Sequence, residues 1–60
     1  MTLQGLWMVS PRCFTFIRNK DESVTQYDGG DKNRDAVILD VMATEYPMYK
    51  NVLEVKIKEG

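Results

Sequence analysis

Nothing covalent is available to staple this chain. It carries one cysteine, Cys13, and no histidine. An intrachain disulfide is therefore excluded, and the Cys/His kit of a zinc site is missing. The 60 residues make one domain at most, and the assignment is a single small domain over 1–60. A chain this short buries only about 60% of the surface that its unfolded form exposes. Domains of this size lean on disulfides, a metal or a partner. With the first two unavailable, a protein partner is the expected aid, and a homodimer would serve as well.

The same absences narrow the chemistry. General acid–base catalysis near neutral pH draws most often on histidine, and Cys13 has no histidine to activate it. Carboxylates are plentiful, but paired carboxylates need a concave pocket to tune them and hold substrate. The expectation is no enzyme, no cofactor and no metal. Asp31-Lys32-Asn33-Arg34-Asp35 opens like a calcium loop. The match then fails, because the sixth position is Ala36 instead of Gly and the twelfth is Met42 instead of Glu. Asp28-Gly29-Gly30-Asp31-Lys32 lacks phosphate-loop spacing, and its two aspartates would repel a phosphate.

The formal charge is −1, but it is unevenly spread. Arg12, Arg18 and Lys20 stand without acids in the first twenty residues. Asp21, Glu22, Asp28, Asp31, Asp35, Asp40 and Glu45 then dominate the middle against Lys32 and Arg34. No basic leader with an apolar run is readable at the start. No apolar run reaches the ~20 residues that span a bilayer. A lone cysteine suits a reducing compartment, so the expectation is a cytoplasmic protein with no membrane partner.

The secondary-structure signals read β-β-α-β. Arg12 to Arg18 is rich in β-branched and aromatic types. It puts Phe14 and Phe16 on one face, and Cys13, Thr15 and Ile17 on the other. Asn19-Lys20-Asp21-Glu22 is a polar turn, and Ser23 to Tyr27 completes a hairpin. Gly29 and Gly30 break the chain. A helix is expected from between Asp31 and Asn33, both good N-cap types, to Glu45 or Tyr46, where Pro47 disfavours helical geometry. Ala36, Ile38, Leu39, Met42, Ala43 and Tyr46 would form its apolar arc, although Ala36 to Leu39 also reads as a strand. The last segment alternates cleanly, with Leu53, Val55 and Ile57 opposite Val52, Glu54, Lys56 and Lys58.

The expected fold is α+β, a three-stranded, mainly antiparallel sheet with one helix on one face. The more apolar first strand suits the centre, which favours order 2-1-3 with the last strand antiparallel to the first over order 1-2-3 with the last strand parallel to the second. The expected core is Phe14, Phe16, Val24, Leu39, Met42, Tyr46, Leu53, Val55 and Ile57. One sheet face would stay uncovered and expose Cys13, Thr15, Ile17, Val52, Glu54 and Lys56.

In general character the chain resembles the short early proteins of tailed phages. The likeness lies in its size, its start at Met1 and one β-β-α-β unit without a catalytic kit. That resemblance implies a viral, host-takeover or anti-defence protein working in the host cytoplasm. Such a protein binds and blocks a larger host protein by steric cover. The expected partner-binding residues are Asp28, Asp31, Val37, Asp40 and Val41 on an acidic helix side, with Trp7 and Tyr49 as anchors. The alternatives are nucleic-acid binding and a small subunit of a larger assembly. In the first, Arg12, Arg18, Lys20, Lys56 and Lys58 would cluster on the sheet beside Trp7 or Tyr49. Against it stand Glu54, Glu59 and the net charge.

Overall fold

A computed structural model describes residues 1–58. The elements are helix α1 (Leu3–Val9) and strands β1 (Phe14–Arg18), β2 (Val24–Tyr27), β3 (Ile38–Tyr46) and β4 (Tyr49–Ile57). They form one four-stranded sheet in the order β2-β1-β4-β3. The β1–β2 and β3–β4 pairs are antiparallel, and β1 runs parallel to β4. The class is α+β, but the three-stranded β-β-α-β expectation is overturned. The helix lies at the N-terminus, and the segment read as helix is the edge strand β3.

Composition explains that reversal. Ile38, Val41, Thr44 and Tyr46 are β-branched or aromatic, and such side chains lose rotamer freedom in a helix while packing well on a pleated surface. Pro47 does not stop a helix. It sits in the two-residue connection that joins Tyr46 to Tyr49 in the β3–β4 hairpin, a place where its fixed φ suits a turn. Asn33, expected near an N-cap, adopts φ 62° inside a run of turns, a conformation that asparagine tolerates.

The true helix is short. The Thr2 hydroxyl caps it by accepting the Gly5 N–H at 3.1 Å. Leu3 and Leu6, one turn apart, point down onto the sheet and are buried. They meet Ile17 of β1, Tyr27 of β2 and Val55 of β4 in one apolar cluster, flanked by Ile38, Leu53 and Ile57. The segment 28–37 crosses from one sheet edge to the other beside this helix. Leu3 N–H donates to Ala36 O at 2.9 Å, and Gln4 N–H to Arg34 O at 3.1 Å. Trp7 stands edge-on to Tyr27 (6.0 Å, 87°) and lies against Gly29. Gly29 has φ 89°, and a Cβ there would sit 2.7 Å from the indole Cη2. Only glycine fits that position.

The parallel register decides which side chains share a face. Ile17 pairs with Val55 and Thr15 with Leu53 on the helix side, while Phe16 pairs with Glu54 and Phe14 with Val52 on the other. The expected core had joined Phe14 and Phe16 to Leu53, Val55 and Ile57. It was therefore one residue out of register, and such a slip moves every side chain of a strand to the opposite face. Thr15, Ile17 and Val52, expected to be exposed, are buried. Phe14, Val24, Leu39 and Met42, expected in the core, are exposed.

Leu3→Ala or Leu6→Ala should cost about 2–4 kcal/mol in chemical denaturation. Met42→Ala, a core deletion in the helical alternative, should cost under about 1 kcal/mol. Thr15 Oγ1 is buried and has no hydrogen-bond partner among the described residues. Thr15→Val should therefore leave stability unchanged or raise it by up to about 1 kcal/mol, since it removes an unsatisfied hydroxyl from a site of the same shape.

Candidate functional site: the bare sheet face

Helix α1 and the segment 28–37 lie together on one face of the sheet. No element among the described residues packs over the other. Strand alternation puts Phe14, Phe16 and Arg18 of β1 there. Val24 and Gln26 of β2 join them, with Val52, Glu54 and Lys56 of β4 and Asp40, Met42, Thr44 and Tyr46 of β3.

Two irregularities enlarge this face. Between Ile38 and Asp40 the register shifts, leaving Leu39 as an extra residue on β3. Leu39 then joins Met42, Lys56 and Ile57 beside Arg18 and Glu54 around an open groove of about 730 Å³. A second shift lies between Thr44 and Tyr46, opposite Asn51 at φ 60°. It restores Tyr49 to the side of Val52, which simple alternation would deny it. Tyr49 thereby reaches Phe14 (4.9 Å, 69°) and Phe16 (5.2 Å, 66°), and Tyr46 reaches Phe16 (5.0 Å, 78°). All three contacts are edge-to-face, the favoured geometry for aromatic pairs.

A polar triad lies beside the rings. Glu54 is only 8% exposed. Its Oε1 accepts from Arg18 Nε at 2.7 Å, and its Oε2 accepts from the Tyr46 hydroxyl at 2.8 Å. Arg18 Nη1 also donates to the Glu22 carbonyl at 2.5 Å. The hydrogen bond from Arg18, then that from Tyr46, holds the Glu54 carboxyl below its usual range. Burial, then the bond to Glu54, raises the Tyr46 hydroxyl above its ordinary value. Lys56 faces Asp40 across the β3–β4 pair. Two opposite-sign couples thus sit on the strands of this face, Lys20 and Glu22 line the groove at its rim, and Arg18 is committed to Glu54.

The residues expected to bind a partner are not gathered on one surface. Asp28 and Asp31 lie in the crossing segment. The Asp28 carboxylate accepts the Gly30 N–H at 3.2 Å, and Asp31 faces Arg34 at 3.6 Å. Val37 forms an isolated bridge with Thr2. Asp40 and Val41 are adjacent on β3, so their side chains leave opposite faces of the sheet. The expected acidic helix face is therefore overturned, because no helix exists there. Trp7 is spent largely on Gly29 and Tyr27, whereas Tyr49 does belong to the bare face. Sequence reasoning missed Phe14, Leu39, Met42 and the Arg18–Glu54–Tyr46 triad. The alternation of Phe14, Phe16 and Arg18 was a signal for the triad's strand, but its partner face hinged on register.

Of the basic residues expected of a nucleic-acid binder, Arg18, Lys20 and Lys56 do line one groove, but they share it with Glu22 and Glu54. Arg12 precedes β1 while Arg18 closes it, and Glu59 lies outside the described residues. Among the described residues, no group of three or more His, Cys, Asp or Glu could hold a metal. No helix among them is long and apolar enough to cross a membrane. No protein-family model, curated protein or solved structure matches the chain.

The triad gives stability a pH dependence. Because the Glu54 pKa is depressed on folding, its contribution is present above the unfolded carboxylate range and is lost as pH falls through the folded value. Asp21 acts in the same direction through its bonds from Ser23. Melting temperature should fall on acidification in the parent chain and fall less steeply in Glu54→Gln. Equal slopes in the two chains would remove the triad from the account.

Proposed function

We propose that this chain is a non-catalytic protein-binding module, a small inhibitor or modulator that covers a functional surface on a larger protein. The bare sheet face is its docking surface. One observation carries this reading: the uncovered face displays large apolar side chains around a neutralised polar centre. Leu39 is 65% exposed, Met42 55% and Phe14 42%, and Val24 stands at the edge of the same surface. Interface cores share this character, with aromatic, methionine and arginine side chains enriched and uncompensated charge depleted. The total accessible surface of 4499 Å² also exceeds the roughly 4,000 Å² expected for a folded chain of this mass. That excess fits a face awaiting cover.

The Phe14–Phe16–Tyr46–Tyr49 rings, already in mutual contact, would lose little entropy on docking, and Met42 and Leu39 would adapt to the partner's contour. Inhibition would be steric, and the chain would contribute no chemistry of its own. The β-β-α-β part of the likeness to short early phage proteins is gone, and on the remaining likeness of size the target would be a host protein in the cytoplasm. Nucleic acid is the weaker reading, since Arg18 is engaged by Glu54 and the face carries both signs of charge.

A photo-crosslinking amino acid placed at Met42 or Leu39 tests this in cells that contain the target. A discrete adduct with a larger protein other than this chain, formed from both positions, resistant to nuclease and absent when the label replaces Met8, is the expected result. Adducts that disappear with nuclease, or equal labelling from Met8, would contradict it.

A further inference from the structure

The outer edge of β3 is a second surface, which adjoins the bare face and shares Asp40, Met42 and Thr44 with it. We propose that it pairs with the same edge of a second copy, joining two sheets into one of eight strands. Strand β3 ends the sheet, and its nine residues equal the length of its inner neighbour β4. The opposite edge, β2, has four residues, too short to invite pairing. Natural edges are guarded by lysine or other charges, proline, bulges or a covering element, and the two register shifts of β3 leave residues 40–44 regularly paired between them. Ile38–Tyr46 contains no lysine, arginine or proline.

The hydrogen bonds show how much of this edge is open. Ile38 N–H donates outward to Met1 O at 3.1 Å, so the N-terminal stretch covers the edge as far as Ile38. The extra residue Leu39 then shifts the alternation by one. Val41 consequently turns its N–H outward, where its neighbour's carboxylate reaches it: Asp40 Oδ1 accepts at 3.0 Å. A side chain could not enter between two paired strands to make that bond. The outward residues are therefore Val41, Ala43 and Glu45, and the uncovered edge runs from 39 to 45.

That segment is complementary to itself. A two-fold axis at Met42 overlaps all of it with its copy in antiparallel fashion. Val41 then faces Ala43 of the second copy, and Ala43 faces its Val41, each pair exchanging outward N–H and C=O groups. Met42 meets Met42, and Asp40 lies opposite the Thr44 hydroxyl, which can donate to it. No carboxylate faces a carboxylate, an arrangement that would be destabilising. Val41 N–H leaves the Asp40 side chain for a backbone carbonyl. Such an interface is isologous and closes on itself, so it makes dimers and not fibres.

Sedimentation from about 5 µM to about 1 mM tests this, bracketing the micromolar equilibrium that so small a seam supports. A reversible monomer–dimer equilibrium is expected for the parent chain. Two variants address the seam. Ala43→Lys puts a charge against Val41 of the second copy. A synthetic chain N-methylated at the Ala43 amide removes an outward donor and leaves every side chain in place. Each should weaken dimerisation at least about tenfold, because symmetry makes each change count twice. Each should also keep the parent's circular dichroism at low concentration. A parent chain that stays monomeric at the highest concentration overturns the proposal. So does a dimer that both folded variants retain.

Discussion

The pairing of β1 with β4 in parallel sets everything else in this molecule. Ile17 opposite Val55 builds the floor on which Leu3 and Leu6 rest. Phe16 opposite Glu54 places a ring and a carboxylate side by side on the other face. A slip of one residue would send Phe16 to the helix and Ile17 to water. The helix is too short to be stable alone, so it exists because this register offers it an apolar floor. The crossing segment is then fixed by the helix through Ala36, Arg34 and the Trp7–Gly29 contact.

Stability and function divide between the two faces. The helix side is apolar and covered over β1 and β4, while Val41 and Ala43 of the edge strand stay exposed. The bare side is stabilised within its own plane, by edge-to-face rings and by a carboxylate that Arg18 and Tyr46 share. Such a face can stand in water without collapsing, yet it keeps apolar side chains at its rim. A surface that is rigid at the centre and adaptable at the edge loses little entropy when a partner covers it.

The legible parts of the sequence were those with strict alternation or unambiguous turns. The β1–β2 hairpin was marked by Asn19-Lys20-Asp21-Glu22, and β4 by Leu53, Val55 and Ile57 against Glu54 and Lys56. The segment 36–46 was not legible, because an exposed edge strand shows no clean alternation. Its apolar residues Leu39, Val41 and Met42 fall on both faces, and their spacing also fits a helix. Pro47 and Asn33 serve a turn as well as a helix end. Helix α1 hid for a different reason: it is seven residues long, with Gly5 inside, and Thr2 was its one local signal. The bare face became visible only with the register, which depends on contacts far apart in sequence.

Nuclear Overhauser contacts between backbone protons, on uniformly labelled chain, test the account most directly. Parallel β1–β4 contacts centred on Ile17 and Val55, with antiparallel contacts between Met42 and Glu54, are the expected result. Sequential helical contacts through 35–45, or an antiparallel pattern between β1 and β4, would contradict it.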